Sequence, residues 1–258
     1  MEARPTGVAN SANLLSSAAL VAVAATAWLL VVRASSSMTM SMAMPGASPS
    51  LAEGASVTAQ WGVMMTAMML PSATPLILLY GKVSQRMAER DPSIPVVLFA
   101  AVYLLIWGAS GIPVYGGYIA MATLGVRWHA LGTAVPYAVA AVLIAAGVYQ
   151  FSNAKRVCLR HCEAPLSFLM RRWRSGYAAT LLIAAEHAAY CIGCCWALMT
   201  ILVVAGAMSM TWVLGIAIAV FAEKVLPRGW RTARFIGATL IALGASVAVH
   251  PALARTIR

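Results

Sequence analysis

Residues 177–204 read YAATLLIAAEHAAYCIGCCWALMTILVV, an apolar run with one carboxylate, one histidine and no lysine or arginine. A helix needs about 20 apolar residues to cross the hydrocarbon core of a bilayer. The run is longer than that, so it predicts a membrane helix. The whole chain follows suit: 62% of its 258 residues are hydrophobic and only 10% are charged. A soluble domain carries about 25% charged residues. Lipid admits only helices or closed barrels, and long apolar runs, rather than alternating ten-residue segments, select helices. The expected fold is all-α, a polytopic membrane helix bundle of about seven transmembrane helices.

The spans read from hydropathy are residues 13–32, 59–80, 94–123, 131–150, 177–204, 210–222 and 233–249. Pro113 and Gly116-Gly117 are expected to kink the third. Around these spans lie an N-terminal stretch 1–12, a loop 33–58, a loop 151–176 within the six-helix core 59–250, and a tail 251–258. The net charge of +11 sits in short loops, which points to membrane orientation and away from nucleic acid. Fourteen lysines and arginines fall on one side: Arg4, the group from Lys82 to Arg90, the group from Lys155 to Arg174, and the group from Lys224 to Arg234. Arg33, Arg127, Arg255 and Arg258 fall on the other. The positive-inside rule then puts the N-terminus in the cytoplasm of a multi-pass cell (inner) membrane protein and loop 33–58 outside. Lipid is one expected partner.

That external loop holds Met38, Met40, Met42 and Met44 at every second place. In an extended segment, alternation puts all four thioethers on one side. The second span continues the theme with Met64, Met65, Met68 and Met69, pairs four apart that stack on helix faces. Methionine is also an ordinary flexible filler of apolar interiors, and for these four the two readings are evenly balanced. Pro71 is expected to bend that helix near Ala67.

Within the opening stretch, His187, Cys191, Cys194 and Cys195 follow an i, i+4, i+7, i+8 spacing, one stripe of a helix. Thiolate and thioether sulfur are soft donors that suit Cu(I). One straight helix cannot wrap an ion alone, so sulfurs from the second span are expected to meet these in the outer leaflet, where Gly193 allows close approach. Free cysteine is often just a small buried hydrophobe, but three in five positions beside a histidine weigh against that. Glu186 is ionisable inside an apolar segment, which is a functional hypothesis by default. It faces away from His187, which suits a proton or supporting role rather than ligation.

Loop 151–176 carries Cys158, His161 and Cys162, which one helical turn would gather. Lys155, Arg156 and Arg160 beside them would favour thiolate. A metal site, a redox pair and a plain amphipathic helix all remain open there. Glu223-Lys224 reads as an interfacial anchor. No phosphate-cradling loop, zinc-protease helix or serine nucleophile elbow is present.

Several stretches together resemble a family of predicted metal-binding integral membrane proteins, domain of unknown function 2182. They are Met44-Pro45-Gly46; Trp61 with Met64-Met65, Met68-Met69 and Pro71-Ser72; Tyr149-Gln150 with Lys155, Cys158, Cys162 and Pro165; Glu186-His187; Tyr190-Cys191-Ile192-Gly193-Cys194-Cys195-Trp196 with Met199; and Glu223-Lys224 with Pro227. The Cys-x-Gly-Cys-Cys-Trp signature is the specific part, and the resemblance spans roughly residues 61–227. It implies a copper-related role, with one branch delivering copper to a tyrosinase-type oxidase.

The expected function is a non-enzymatic Cu(I)-binding membrane protein. It would capture the ion at Met38–Met44, relay it along Met64–Met69 and hold it at Cys191, Cys194, Cys195 and His187. It would then pass the ion to a copper-dependent oxidase or other acceptor, or across the membrane toward Cys158, His161 and Cys162. The rivals are a membrane thiol–disulfide oxidoreductase using the Cys191, Cys194 and Cys195 cluster, and a structural subunit of a membrane complex.

Overall fold

A computed structural model describes residues 6–37, 50–88, 93–123, 135–174, 176–205 and 209–252. Among them there is no strand, and the fold is an all-α bundle. The helices are α1 Thr6–Ser37, α2 Leu51–Ala88, α3 Ser93–Ala109, α4 Gly111–Thr123, α5 Val135–Tyr149, α6 Asn153–Glu163, α7 Pro165–Arg172, α8 Tyr177–Ala205, α9 Met210–Val225 and α10 Gly229–Val249. The strip Met38, Met40, Met42 and Met44 lies outside the described residues.

Five stretches are long and apolar enough to cross a membrane: Leu14–Ser35, Leu51–Arg86, Ser93–Gly117, Tyr177–Val204 and Gly229–Val249. The chain is a membrane protein on that basis. The pair α5 and α6 adds a sixth if read as one span bent by 64°. The expected seven would need α5 and α9 each to count alone. At 16 residues α9 is only about 24 Å long, short of the ~30 Å hydrocarbon core.

Three boundaries differ from the sequence reading, each for a local reason. The expected loop 33–58 loses its last residues to α2, which starts at Leu51, where the Ser50 hydroxyl accepts from Glu53 N at 3.1 Å. α2 also runs unbroken through Pro71 and Pro75. The interruption after α3 falls at Ser110, not at Pro113. The Ser110 hydroxyl donates to the Trp107 carbonyl at 2.6 Å and accepts the Trp61 indole N–H at 2.9 Å. Pro113 then sits in the first turn of α4, where a missing N–H costs nothing. The expected loop 151–176 folds into α6 and α7. Ser152 caps α6 by accepting from Lys155 N, and Pro165 opens α7, a position that suits its fixed φ.

Packing is closest between α5 and α10. A Cβ on Gly147 would lie 2.7 Å from the Gly237 carbonyl, and one on Gly244 would lie 2.9 Å from the Ala140 carbonyl. Small residues are what let membrane helices approach this closely. α2 packs on α1, α3 and α9, while α8 is surrounded by α3, α5 and α6.

Candidate metal centre

The stripe of α8 faces the interior. His187, Cys191, Cys194 and Cys195 are all buried, while Trp196 is exposed. Cys194 Sγ lies 3.2 Å from Cys195 Sγ and donates to the Cys191 carbonyl at 3.2 Å. All five cysteines are free thiols.

α6 lies along this stripe. A Cβ on Gly193 would stand 2.8 Å from Cys158 Sγ, so the glycine is what lets α6 approach. The Tyr149 hydroxyl, at the end of α5, donates to the Gly193 carbonyl at 2.6 Å. The His161 ring stacks on Tyr190 at 3.9 Å with the planes 4° apart, and its Nδ1 lies 2.8 Å from the Val157 carbonyl. Cys162, one turn along α6 from Cys158, lies within electrostatic reach of Cys191 and Cys194. Cys158 and His161 therefore both lie against α8 beside its thiol stripe, Cys158 at Gly193 and His161 at Tyr190. Lys155 does not serve the loop thiols. It is buried and bonded to Glu223 Oε2 at 2.6 Å.

The pair Glu223-Lys224 is an interior feature and not an interfacial anchor. Glu223 is fully buried and takes Lys155 on one oxygen and Gln150 Nε2 at 2.8 Å on the other. Lys224 Nζ reaches Cys191 Sγ at 2.9 Å, Ser72 Oγ at 3.3 Å and Met69 Sδ at 4.0 Å. The Tyr103 hydroxyl lies 3.0 Å from the same Cys191 sulfur. An ammonium on α9 thus joins the thiols of α8 to the last methionine of the α2 series. Met64, Met65 and Met68 are buried too, farther along α2 toward Leu51.

His187 lies among aromatic rings, with centroids 5.6 Å from Tyr103, 5.9 Å from Phe168 and 6.1 Å from Phe99. Its Nδ1 is buried with no hydrogen-bond partner. Such an atom normally costs about 1–3 kcal/mol; in the tautomer that leaves its lone pair free it can accept a hydrogen bond or ligate an ion. Glu186 is only partly buried and pairs with Arg172 of α7 at 3.0 Å. The carboxylate therefore has a cation partner and is not isolated within the apolar span.

These polar side chains gather where α5 and α9 end and α10 begins. The exposed Arg156, Arg160, Arg171, Arg172, Arg231 and Arg234 surround the same end of the bundle. The Cys191 sulfur, midway along α8, lies beside the end of α9 through its bond to Lys224.

Among the described residues, no group of three or more His, Cys, Asp or Glu side chains is already arranged to hold a metal ion. The sulfur contacts give the reason. Thiolates around one ion at ~2.3 Å stand wider apart in an open geometry than Cys194 and Cys195 do. The donor set still fits a soft ion, with buried thiols, a thioether close by and an orphaned imidazole nitrogen.

A family model described as PpoB2, copper chaperone, matches residues 58–247. The chain belongs to this copper chaperone family. The matched region of the copper chaperone includes α3 to α9 entire and nearly all of α10, and with them every side chain of the centre described above. The match supports the copper association of the resemblance and says nothing of the label domain of unknown function 2182. No curated protein and no solved structure matches the chain.

Proposed function

We propose that the protein is a multi-pass cell-membrane carrier of Cu(I), with its basic end in the cytoplasm. It holds the ion as cargo on thiolates drawn from Cys162, Cys191, Cys194 and Cys195. His187 and Met69 are the neighbouring donors and Cys158 the next sulfur outward. The observation that carries this reading is the approach of α6 to the α8 thiol stripe, with Cys158 Sγ against Gly193 and Cys162 one turn along, beside an ammonium whose bonded partners among the described residues are Cys191, Ser72 and Met69.

Charge supports the monovalent ion. Lys155 and Glu223 cancel each other. Lys224 is left to Cys191, Ser72 and Met69. Two thiolates on one Cu(I) carry a single negative charge, which the ammonium balances. A divalent ion on the same two thiolates would leave it unbalanced, at a cost of several kcal/mol in the interior.

Capture at Met38, Met40, Met42 and Met44 and relay by Met64, Met65, Met68 and Met69 remain part of the proposal. Exchange between successive soft donors needs no ATP and forms no covalent product, so the role is that of a carrier and not a catalyst. The acceptor is a copper-dependent oxidase or another copper site, reached directly or after the ion has crossed the membrane.

The test is the full chain purified anaerobically under reducing conditions. It should take about one Cu(I) per chain from a chromophoric chelator, as a soft-donor site would. Cys191→Ser with Cys194→Ser should abolish this. Copper uptake by proteoliposomes then separates a transporter from a chaperone. The rival, a thiol–disulfide oxidoreductase, draws on the clustering of the Cys191, Cys194 and Cys195 thiols. A protein that stays free of copper yet cycles one disulfide would establish it instead.

A further inference from the structure

The basic end holds a second cluster that the copper reading does not use. The guanidinium carbons of Arg156, Arg231 and Arg234 lie 5.5, 5.5 and 5.7 Å from the centre of the Trp230 ring. Arg234 also lies 5.8 Å over the ring of Phe151. All three arginines are exposed, and Trp230 is half-buried beneath them. The nearby carboxylates have other partners. Glu223 is bonded to Lys155 and Gln150, and Glu163 faces the backbone of Gly229 and Trp230 with Arg160 as its neighbouring cation. Among the described residues the ion pairs are Lys155–Glu223 and Arg172–Glu186, so none involves this trio.

Three like charges around one indole repel one another. The arrangement gains most from an anion with several oxygens, since the guanidinium fork matches phosphate. The surroundings say which phosphate. The cluster lies where α5 gives way to α6 and where α10 begins, with the exposed apolar side chains Val148, Phe151 and Phe235 beside it. Charge with oily side chains at the end of a membrane span is a lipid-headgroup environment. A free phosphate has no use for the apolar half, and an acidic peptide would not need it at the rim of a span.

We propose that Arg156, Arg231, Arg234 and Trp230 form a binding site for the phosphate of an anionic phospholipid, whose acyl chains lie along Val148, Phe151 and Phe235. The site clamps the start of α6 to the start of α10. The proposal does not depend on which ion the thiols hold.

The test uses the full chain in nanodiscs of phosphatidylcholine mixed with phosphatidylglycerol, extracted gently and weighed by native mass spectrometry. The wild type should retain phosphatidylglycerol preferentially. The triple variant Arg156→Gln, Arg231→Gln, Arg234→Gln should lose that preference, by about fivefold per arginine and on the order of a hundredfold for all three. Soluble glycerol phosphate should fail to displace the lipid. A photoactivatable phosphatidylglycerol should label the wild type on the peptides around Phe151 and Trp230, a readout that needs no variant to fold. Equal retention of both lipids, an unchanged preference in the triple variant, displacement by glycerol phosphate, or labelling confined to other peptides would each overturn the proposal.

Discussion

Cys191 carries the two polar contacts that tie the centre to other helices, Lys224 Nζ and the Tyr103 hydroxyl on its sulfur. If Lys224 balances a bis-thiolate complex, Lys224→Met should weaken Cu(I) retention by about tenfold or more, because the buried anion loses its counter-charge. A chelator competition reads this directly, and unchanged retention would remove Lys224 from the account. Glu223→Gln acts on a different balance. It leaves the Lys155 ammonium buried beside a neutral amide, and breaking a buried pair in this way costs about 3–5 kcal/mol. Thermal unfolding in detergent should show the loss, and Lys155→Met on the same background should recover part of it. The two lysines differ in how readable they were. The α8 thiols and His187 announce themselves by helical spacing, and all four prove to be buried on one stripe. Glu223-Lys224 at a helix end reads as an anchor, because its burial depends on Lys155, 68 residues away, and no local pattern carries that distance. Glu186 looked interior for the converse reason, since its partner Arg172 sits on a helix that hydropathy does not reveal.

At the scale of elements, α8 was legible almost to the residue, because an apolar run of its length has one interpretation. α6 and α7 were not. They are short, amphipathic and basic, and they lack the 20-residue apolar signal. Only their packing, α6 on α8 and α7 on α2 and α6, shows that they belong to the bundle. Gly193 controls that packing. Gly193→Val should push α6 away from α8 through Cys158, and Cys158 and Cys162 should then react faster with a maleimide than in the wild type. Unchanged rates would mean that α6 is held by other contacts. The break between α3 and α4 has a similar origin. The prolines and glycines that suggested a kink are nearby, but the residue that fixes it is Trp61, 49 positions earlier.

For the whole molecule, charge and hydropathy gave an all-α membrane bundle. They did not give the depth of the sulfurs, which depends on where the short helices α5 and α9 end. With Cys191 beside the end of α9 through Lys224, the ion should be exchanged with the cytoplasmic side more readily than a site in the outer half would allow. In oriented membrane vesicles, a chelator that cannot cross lipid should strip Cu(I) faster from the cytoplasmic face. Faster stripping from the other face would reverse either the orientation or the depth. The central claim is that thiols from α6 and α8 together hold one Cu(I), and X-ray absorption at the copper edge addresses it most directly. The account predicts a sulfur-dominated shell in the loaded wild type that loses one sulfur in Cys162→Ser. A shell of nitrogen and oxygen, or one unchanged by that substitution, would contradict it.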